Sequence, residues 1–164
     1  MIRSATAADA QAICSIYNHF ILQSTVTFEE TVITADDMAT RIDASAGRLP
    51  FLLAELDGAV AGYAYAAPWK TRSAYRHTVE CSVYVAPAYA GMGQGSRLYQ
   101  ALLQDLRERD VHAVLAGIVL PNDASIGLHE SFGFAKVGQM REVGRKFGQW
   151  LDVGYWQLVL ASQP

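Results

Sequence analysis

Cysteine is scarce in this 164-residue chain: Cys14 and Cys81 are the only two, and neither belongs to a CxxC or Cys/His ligand spacing. That pattern excludes a disulfide framework and a zinc site, and it fits a reduced compartment. No run of about 18 apolar residues is present, so no membrane-spanning helix is predicted. Met1-Ile2-Arg3-Ser4 lacks a basic region leading into an apolar core, which makes the cytoplasm the expected location. Concentrated charge is missing as well. The 13 Lys and Arg residues are scattered and the net charge is −3, which gives no attraction to nucleic acid or anionic lipid. Repeats, linkers and low-complexity tracts are also lacking. What is present is 51% hydrophobic content, enough for one domain over residues 1–164 that buries roughly two-thirds of its unfolded surface.

Thr6-Ala7-Ala8-Asp9 reads as a capping-box-like start, and Ile13, Ile16, Tyr17, Phe20 and Ile21 recur at helical spacing. Thr25-Val26-Thr27-Phe28 interrupts that period, and Thr34-Ala35-Asp36-Asp37 opens a second helix through Met38 and Ile42 to Gly47, leaving Phe28 on the connection. Residues 50–56 and 59–66, joined by Asp57-Gly58, predict a hairpin. A polar and aromatic segment from Ala67 to His77 precedes a strand from Thr78 to Val85. A helix follows from about Gly95 to Arg109, with Leu98, Ala101, Leu102 and Leu106 on one stripe. Ala113 to Val119 is a strand, Asn122-Asp123-Ala124-Ser125 opens a helix ending at Gly133, and 135–143 and 151–160 are the closing strands. An early hairpin followed by a strand-helix-strand-helix-strand unit predicts a mixed α/β sheet with helices on both faces. Parallel pairing is expected around the strand ending at Val85.

The most informative stretch joins that strand to the next helix: Ser82-Val83-Tyr84-Val85-Ala86-Pro87-Ala88-Tyr89-Ala90-Gly91-Met92-Gly93-Gln94-Gly95-Ser96. Glycines at 91, 93 and 95 keep Cβ atoms off the backbone just where a helix points its unpaired N–H groups outward, which is a cradle for a diphosphate. Three readings compete. A P-loop needs a Lys after the glycines, and none is there. A dinucleotide fingerprint needs a sixth-position glycine, where this chain has Ser96, and its location late in the chain is wrong. The third is the coenzyme A turn of the GNAT acetyltransferases, [RQ]-x-x-G-x-[GA] after a strand, which Ala90-Gly91-Met92-Gly93-Gln94-Gly95 resembles except at its first position.

The resemblance extends along the chain. Asn122-Asp123-Ala124-Ser125 through Leu128-His129-Glu130-Ser131-Phe132-Gly133-Phe134 is similar to the second GNAT signature. Residues 65–75, Glu80 before Val83-Tyr84-Val85, and residues 148–158 resemble the phosphinothricin and methionine sulfone/sulfoximine N-acetyltransferase branch. The resemblance implies a mostly antiparallel central sheet with a splayed parallel strand pair. It further implies acetyl-CoA as cosubstrate with no metal, and direct acetyl transfer to the α-amino group of a small amino-acid-like acceptor. A homodimer is implied too.

Residue by residue, the resemblance assigns coenzyme A binding to Val83, Tyr84, Val85, Gly91, Met92, Gly93, Gln94, Gly95, Ser96, Asn122 and Ser131. Asn122 is equally a helix N-cap. At Ala90 the usual Arg or Gln is missing, so the cradle is expected to work through backbone N–H groups or to recruit Arg97. Glu80 is the candidate base, since an unpaired acid in an apolar strand is costly, with pairing to Arg76 as the structural alternative. His129 occupies the position expected to protonate the departing thiolate. The resemblance maps acceptor contacts onto Phe28, Lys70, Arg72, Ser73, Ala74, Tyr75, Glu80, Cys81 and Ser82. Strand alternation sets the Cys81 side chain opposite Glu80, against a covalent acetyl-cysteine route. Trp150 and Trp156 are core or dimer contacts. A peptide N-terminus or polyamine as acceptor, or a non-catalytic coenzyme A-binding module, are the other functions considered. The Lys70-Arg72-Arg76 cluster opposes a polyamine, and retention of Glu80 opposes the module.

Overall fold

The computed structural model describes residues 1–160. Seven strands form one sheet in the order β1-β2-β3-β4-β5-β7-β6, with β1 Ile2–Ser4, β2 Phe51–Leu56, β3 Ala59–Pro68, β4 Thr78–Val85, β5 Ala113–Val119, β6 Ala135–Lys146 and β7 Gln149–Val159. Four helices connect them: α1 Ala10–Gln23, α2 Ala35–Ser45, α3 Gln94–Arg107 and α4 Asp123–Ser131. Every strand pair is antiparallel except β4–β5.

Alternation along the strands divides the interior into two apolar layers. Leu52, Ala64, Val79, Cys81, Val114, Ala116 and Trp156 face α3 and α4, while Phe51, Leu53 and Tyr63 face α1 and α2. Helix starts follow their capping residues. Thr34 accepts from the Asp37 N–H at 3.1 Å while Asp37 accepts from the Thr34 N–H at 2.8 Å, fixing the first turn of α2.

The parallel pair positions the site. β4 and β5 are in register only over Thr78–Glu80 and Ala113–Leu115, whereas β4 stays paired with β3 out to Val85 opposite Gly62. Beyond Glu80 the two parallel strands part. Gly62 is what lets β3 hold the diverging end: a Cβ there would lie 2.7 Å from the Tyr84 carbonyl oxygen.

Several boundaries differ from expectation. Residues 7–9 form a 3-10 turn before α1, β3 runs two residues into the polar aromatic segment, and residues 73–75 of that segment make another 3-10 turn. α4 stops at Ser131 rather than at Gly133. The largest difference is the closing hairpin, which extends to Lys146 and restarts at Gln149. Its turn is Phe147-Gly148, both left-handed at φ 49° and 74°, and a phenylalanine there carries no turn signature in sequence.

Candidate active site

The parting of β4 from β5 opens a cleft of about 280 Å³ whose walls include residues 81–85 of β4, residues 117–119 of β5, Asn122, Ser125 and Leu128 at and in α4, and Phe20 and Val26 in and after α1. Backbone direction follows from one bond. The Ala86 N–H donates to the Ala61 carbonyl at 2.9 Å, toward β3, so alternation turns the N–H and C=O groups of Val83 and Val85 into the cleft. Tyr84 directs its backbone at β3 and its side chain at α1, where its ring meets Tyr17 and Phe20.

The glycine turn continues this cleft. Gly91 and Gly93 have φ of 74° and 73°, a conformation that disfavours a side chain, and open space lies over both. Gly93 is the residue before α3, so the N–H groups of Gln94, Gly95 and Ser96 begin the helix without carbonyl partners inside it. Gly95 packs the first turn of α3 against the end of β4 and against α4, its Cβ position lying 3.7 Å from Val85 and 3.6 Å from Leu128. The Gln94 side chain is buried, and Met92 and Ser96 are exposed. Arg97 borders a shallow hollow with Ile2 and Gln100 on the flank of α3.

Glu80 stands on the other sheet face, at the point where the strands separate. It borders a hollow of about 610 Å³ with Trp69, Lys70 and Tyr75, and a second of about 290 Å³ with Phe28, Gly117 and Tyr155. Gly117 and Val119 belong both to this second hollow and to the cleft, so the carboxylate and the cleft adjoin. Burial raises the Glu80 pKa above the ordinary carboxylate value, and a hydrogen bond from the Gly117 backbone opposes that rise. A Cβ on Gly117 would lie 2.8 Å from Glu80 Oε1, so a side chain there would displace the carboxylate. Arg76 is not its partner; that guanidinium donates to the Ser73 carbonyl at 3.2 Å.

His129 is buried with both ring nitrogens engaged. Nδ1 lies 2.7 Å from the Ser125 carbonyl and therefore carries the proton, which leaves Nε2 to accept from the Tyr99 hydroxyl at 2.5 Å. Burial lowers its pKa, and the Ser125 bond opposes the shift. The imidazole borders the cleft but has no free N–H to present to it. Cys81 is a buried thiol in the layer facing α3, opposite Glu80, with its pKa pushed up by burial. A thiol there is not a nucleophile.

The remaining expected residues divide. Lys70 and Tyr75 reach the Glu80 hollow, and Ser82 reaches the cleft. Arg72 lies over the Tyr75 ring at 5.6 Å, and Ser73 and Ala74 lie in the 3-10 turn, outside both hollows. Ser131 is also outside the cleft, its hydroxyl donating to the Leu128 carbonyl at 2.7 Å. Phe28 lies against Gly144, where a Cβ would collide with its ring. Its loop is fastened by Lys146, whose Nζ donates to the Thr27 carbonyl at 2.8 Å, and by the Tyr17–Thr27 hydroxyl pair at 2.8 Å. Lys146, Gly117 and Tyr155 were not foreseen; of these only Gly117, an isolated glycine in an apolar strand, carried a sequence signal.

Among the described residues no group of His, Cys, Asp and Glu could hold a metal, and no helix is long and apolar enough to cross a membrane. Residues 2–154 match the family described as acetyltransferase (GNAT) domain. The chain is 46% identical to the phosphinothricin N-acetyltransferase of Streptomyces viridochromogenes, over 95% of this chain and 85% of that protein. It is 41% identical to the L-methionine sulfoximine/L-methionine sulfone acetyltransferase of Salmonella typhimurium, over 97% of this chain and 94% of that one. A putative acetyltransferase from Salmonella typhimurium, solved with its cofactor acetyl-CoA, superimposes with a TM-score of 0.96 at 39% identity, covering 100% of this chain and 95% of the other. With its splayed β4–β5 pair, its glycine turn and these relatives, the chain belongs to the GNAT acetyltransferase family.

Proposed function

We propose that this protein transfers the acetyl group of acetyl-CoA to the α-amino group of a small amino-acid-like acceptor, with phosphinothricin and methionine sulfone or sulfoximine as the favoured class. The observation that carries this reading is Glu80, a half-buried carboxylate with no cationic partner among the described residues, held beside Gly117 where a hollow on one sheet face meets the cleft between β4 and β5.

The cleft suits coenzyme A: it offers inward backbone groups at Val83 and Val85, open space over Gly91 and Gly93, and the unpaired N–H groups of Gln94, Gly95 and Ser96. Acetyl-CoA, when bound, supplies an activated acyl carbon. The inward N–H of Val85 is the donor for the negative charge that develops on the acyl oxygen, a contribution worth about 2.7–4 kcal/mol in comparable sites. Asn122 spends its side chain on the Ser125 N–H at 3.1 Å, as an N-cap, and supports the cleft by fixing α4. Diphosphate binding rests on the main chain, because Ala90 offers no side-chain donor.

An α-ammonium must lose a proton before it attacks, and Glu80 accepts it; a carboxylate with a raised pKa is a better base near neutrality than an ordinary one. Lys70, in the larger of the two hollows that meet at Glu80, gives the acceptor's anionic group a cation, and Phe28 walls the smaller one. His129 is assigned to structure: held neutral between Tyr99 and Ser125, it ties α4 to α3 behind the cleft.

The exposed apolar residues of the last hairpin, Val137, Met140, Val143, Phe147 and Trp150, support a homodimer built on β6 and β7. Two free cysteines support a cytoplasmic location.

Thiol release from acetyl-CoA across an amino-acid panel tests the assignment. Release that depends on phosphinothricin, methionine sulfone or methionine sulfoximine is expected. No release with any amino-acid-like amine overturns it.

A further inference from the structure

Helix α2 rests on α1, and a cavity of about 390 Å³ separates it from β2 and β3. None of its lining residues belongs to the cleft or to the two Glu80 hollows. The loop bearing Phe28 is linked to its wall by the Glu29–Arg41 ion pair at 2.7 Å and by the Tyr17–Thr27 hydroxyl pair at 2.8 Å. The chemistry of this space differs from that of the transfer site. On the sheet side Phe51, Tyr63 and Tyr65 run nearly parallel, with centroids 5.1 to 6.2 Å apart and interplanar angles of 8° to 13°. Met38 of α2 covers the opposite side.

Two polar features interrupt this apolar lining. Tyr63 is 1% exposed, yet its hydroxyl has no hydrogen-bond partner among the described residues. The buried phenols of Tyr17 and Tyr99 are both satisfied, by Thr27 and His129. The Tyr63 hydroxyl is not one of the fully enclosed unpaired polar atoms, so it stands open to the cavity, where a water or a ligand can reach it. The second feature is a pair of arginines lining the same space. Arg41 is neutralised by Glu29, whereas Arg48 makes no ion pair among the described residues.

We propose that this cavity is a second ligand site, taking a planar aromatic monocarboxylate whose ring lies along the Phe51–Tyr63–Tyr65 array, whose carboxylate meets Arg48, and whose polar edge meets the Tyr63 hydroxyl. Aromatic faces select a flat apolar body, and one uncompensated guanidinium selects a single negative charge. An α-ammonium beside the unpaired Arg48 is repelled, so free amino acids belong to the Glu80 hollow and not here. The inference stands independently of which amine is acetylated.

Calorimetric titration of the full chain with 4-hydroxyphenylacetate and indole-3-acetate tests it, with phenethylamine and benzyl alcohol as charge controls. Saturable binding of the carboxylates at one per chain is expected, undiminished by saturating acetyl-CoA or acceptor, and at least about tenfold tighter than either control. Arg48→Ala, at an exposed position, is expected to weaken carboxylate binding about tenfold with acetyl transfer unchanged. Ala44→Trp, which fills the space from the exposed α2 surface, is expected to abolish it. Absence of binding at millimolar probe, displacement by acetyl-CoA or acceptor, or indifference to both variants overturns the proposal.

Discussion

At the scale of single residues, function and stability pull apart at Glu80. Burial holds its folded-state pKa above the unfolded value, so native protein takes up the proton more readily than the unfolded chain. The stability this group contributes is therefore fully present below the unfolded pKa and is lost as pH rises through the folded one. At neutral pH the ionised side chain is a net cost, which the proposed role of Glu80 as base accounts for. Glu80→Gln is expected to raise the melting temperature at pH 7 and to leave it unchanged near pH 4, as read by calorimetry at the two pH values. A lower melting temperature at pH 7 contradicts this. Residue-level reading from sequence had uneven success for a physical reason. Glu80 was legible because a charge in an apolar strand is conspicuous; Gly117 was passed over, although a lone glycine in an apolar strand carries a signal. The engagement of His129 was not legible, since Tyr99 lies 30 positions away and only packing of α3 on α4 brings it to Nε2.

At the scale of elements, the proposed function assigns binding to two connections, and each has a separable readout. The β4–α3 turn depends on a left-handed Gly93, which a side chain disfavours by about 1–2 kcal/mol. Gly93→Ala is expected to raise the KM for acetyl-CoA about tenfold while leaving the acceptor KM within twofold, measured by steady-state kinetics with each substrate varied. The α1–α2 loop has the opposite signature. Phe28→Ala removes the ring that walls the Glu80 hollow, and the acceptor KM is expected to rise about tenfold with no change for acetyl-CoA. Most elements were readable from capping residues, apolar periods and the Asp57-Gly58 turn. The closing hairpin was read too short, because its Phe147-Gly148 turn has no turn signature and its register shifts between Met140 and Gly144, where the distant Phe28 packs on Gly144 and no local pattern records it.

At the scale of the whole molecule, the β6–β7 hairpin leaves apolar side chains in water that a lone chain has no use for. Trp150 is 61% exposed, with Arg145 over its ring at 5.6 Å. Light scattering after gel filtration is expected to give twice the chain mass, and a Phe147→Ser, Trp150→Ser double variant to give the monomer. A monomeric parent contradicts the assignment of this surface. The larger organisation, with Glu80 on one sheet face adjoining a cleft that opens where β4 leaves β5, is a property of pairing register. The sequence predicted the parallel pair, but which residue marks the parting depends on how far β3 holds β4. The central claim is that Glu80 at this junction takes the proton from the acceptor amine. Its most direct test is the pH dependence of kcat/KM for the acceptor in the parent and in Glu80→Gln. The account predicts an acid limb in the parent with an apparent pKa above the ordinary carboxylate value. In the variant it predicts loss of that limb and a fall of about 10²–10⁴ in rate with acetyl-CoA KM unchanged. A variant that keeps the parent's rate and the parent's acid limb contradicts it.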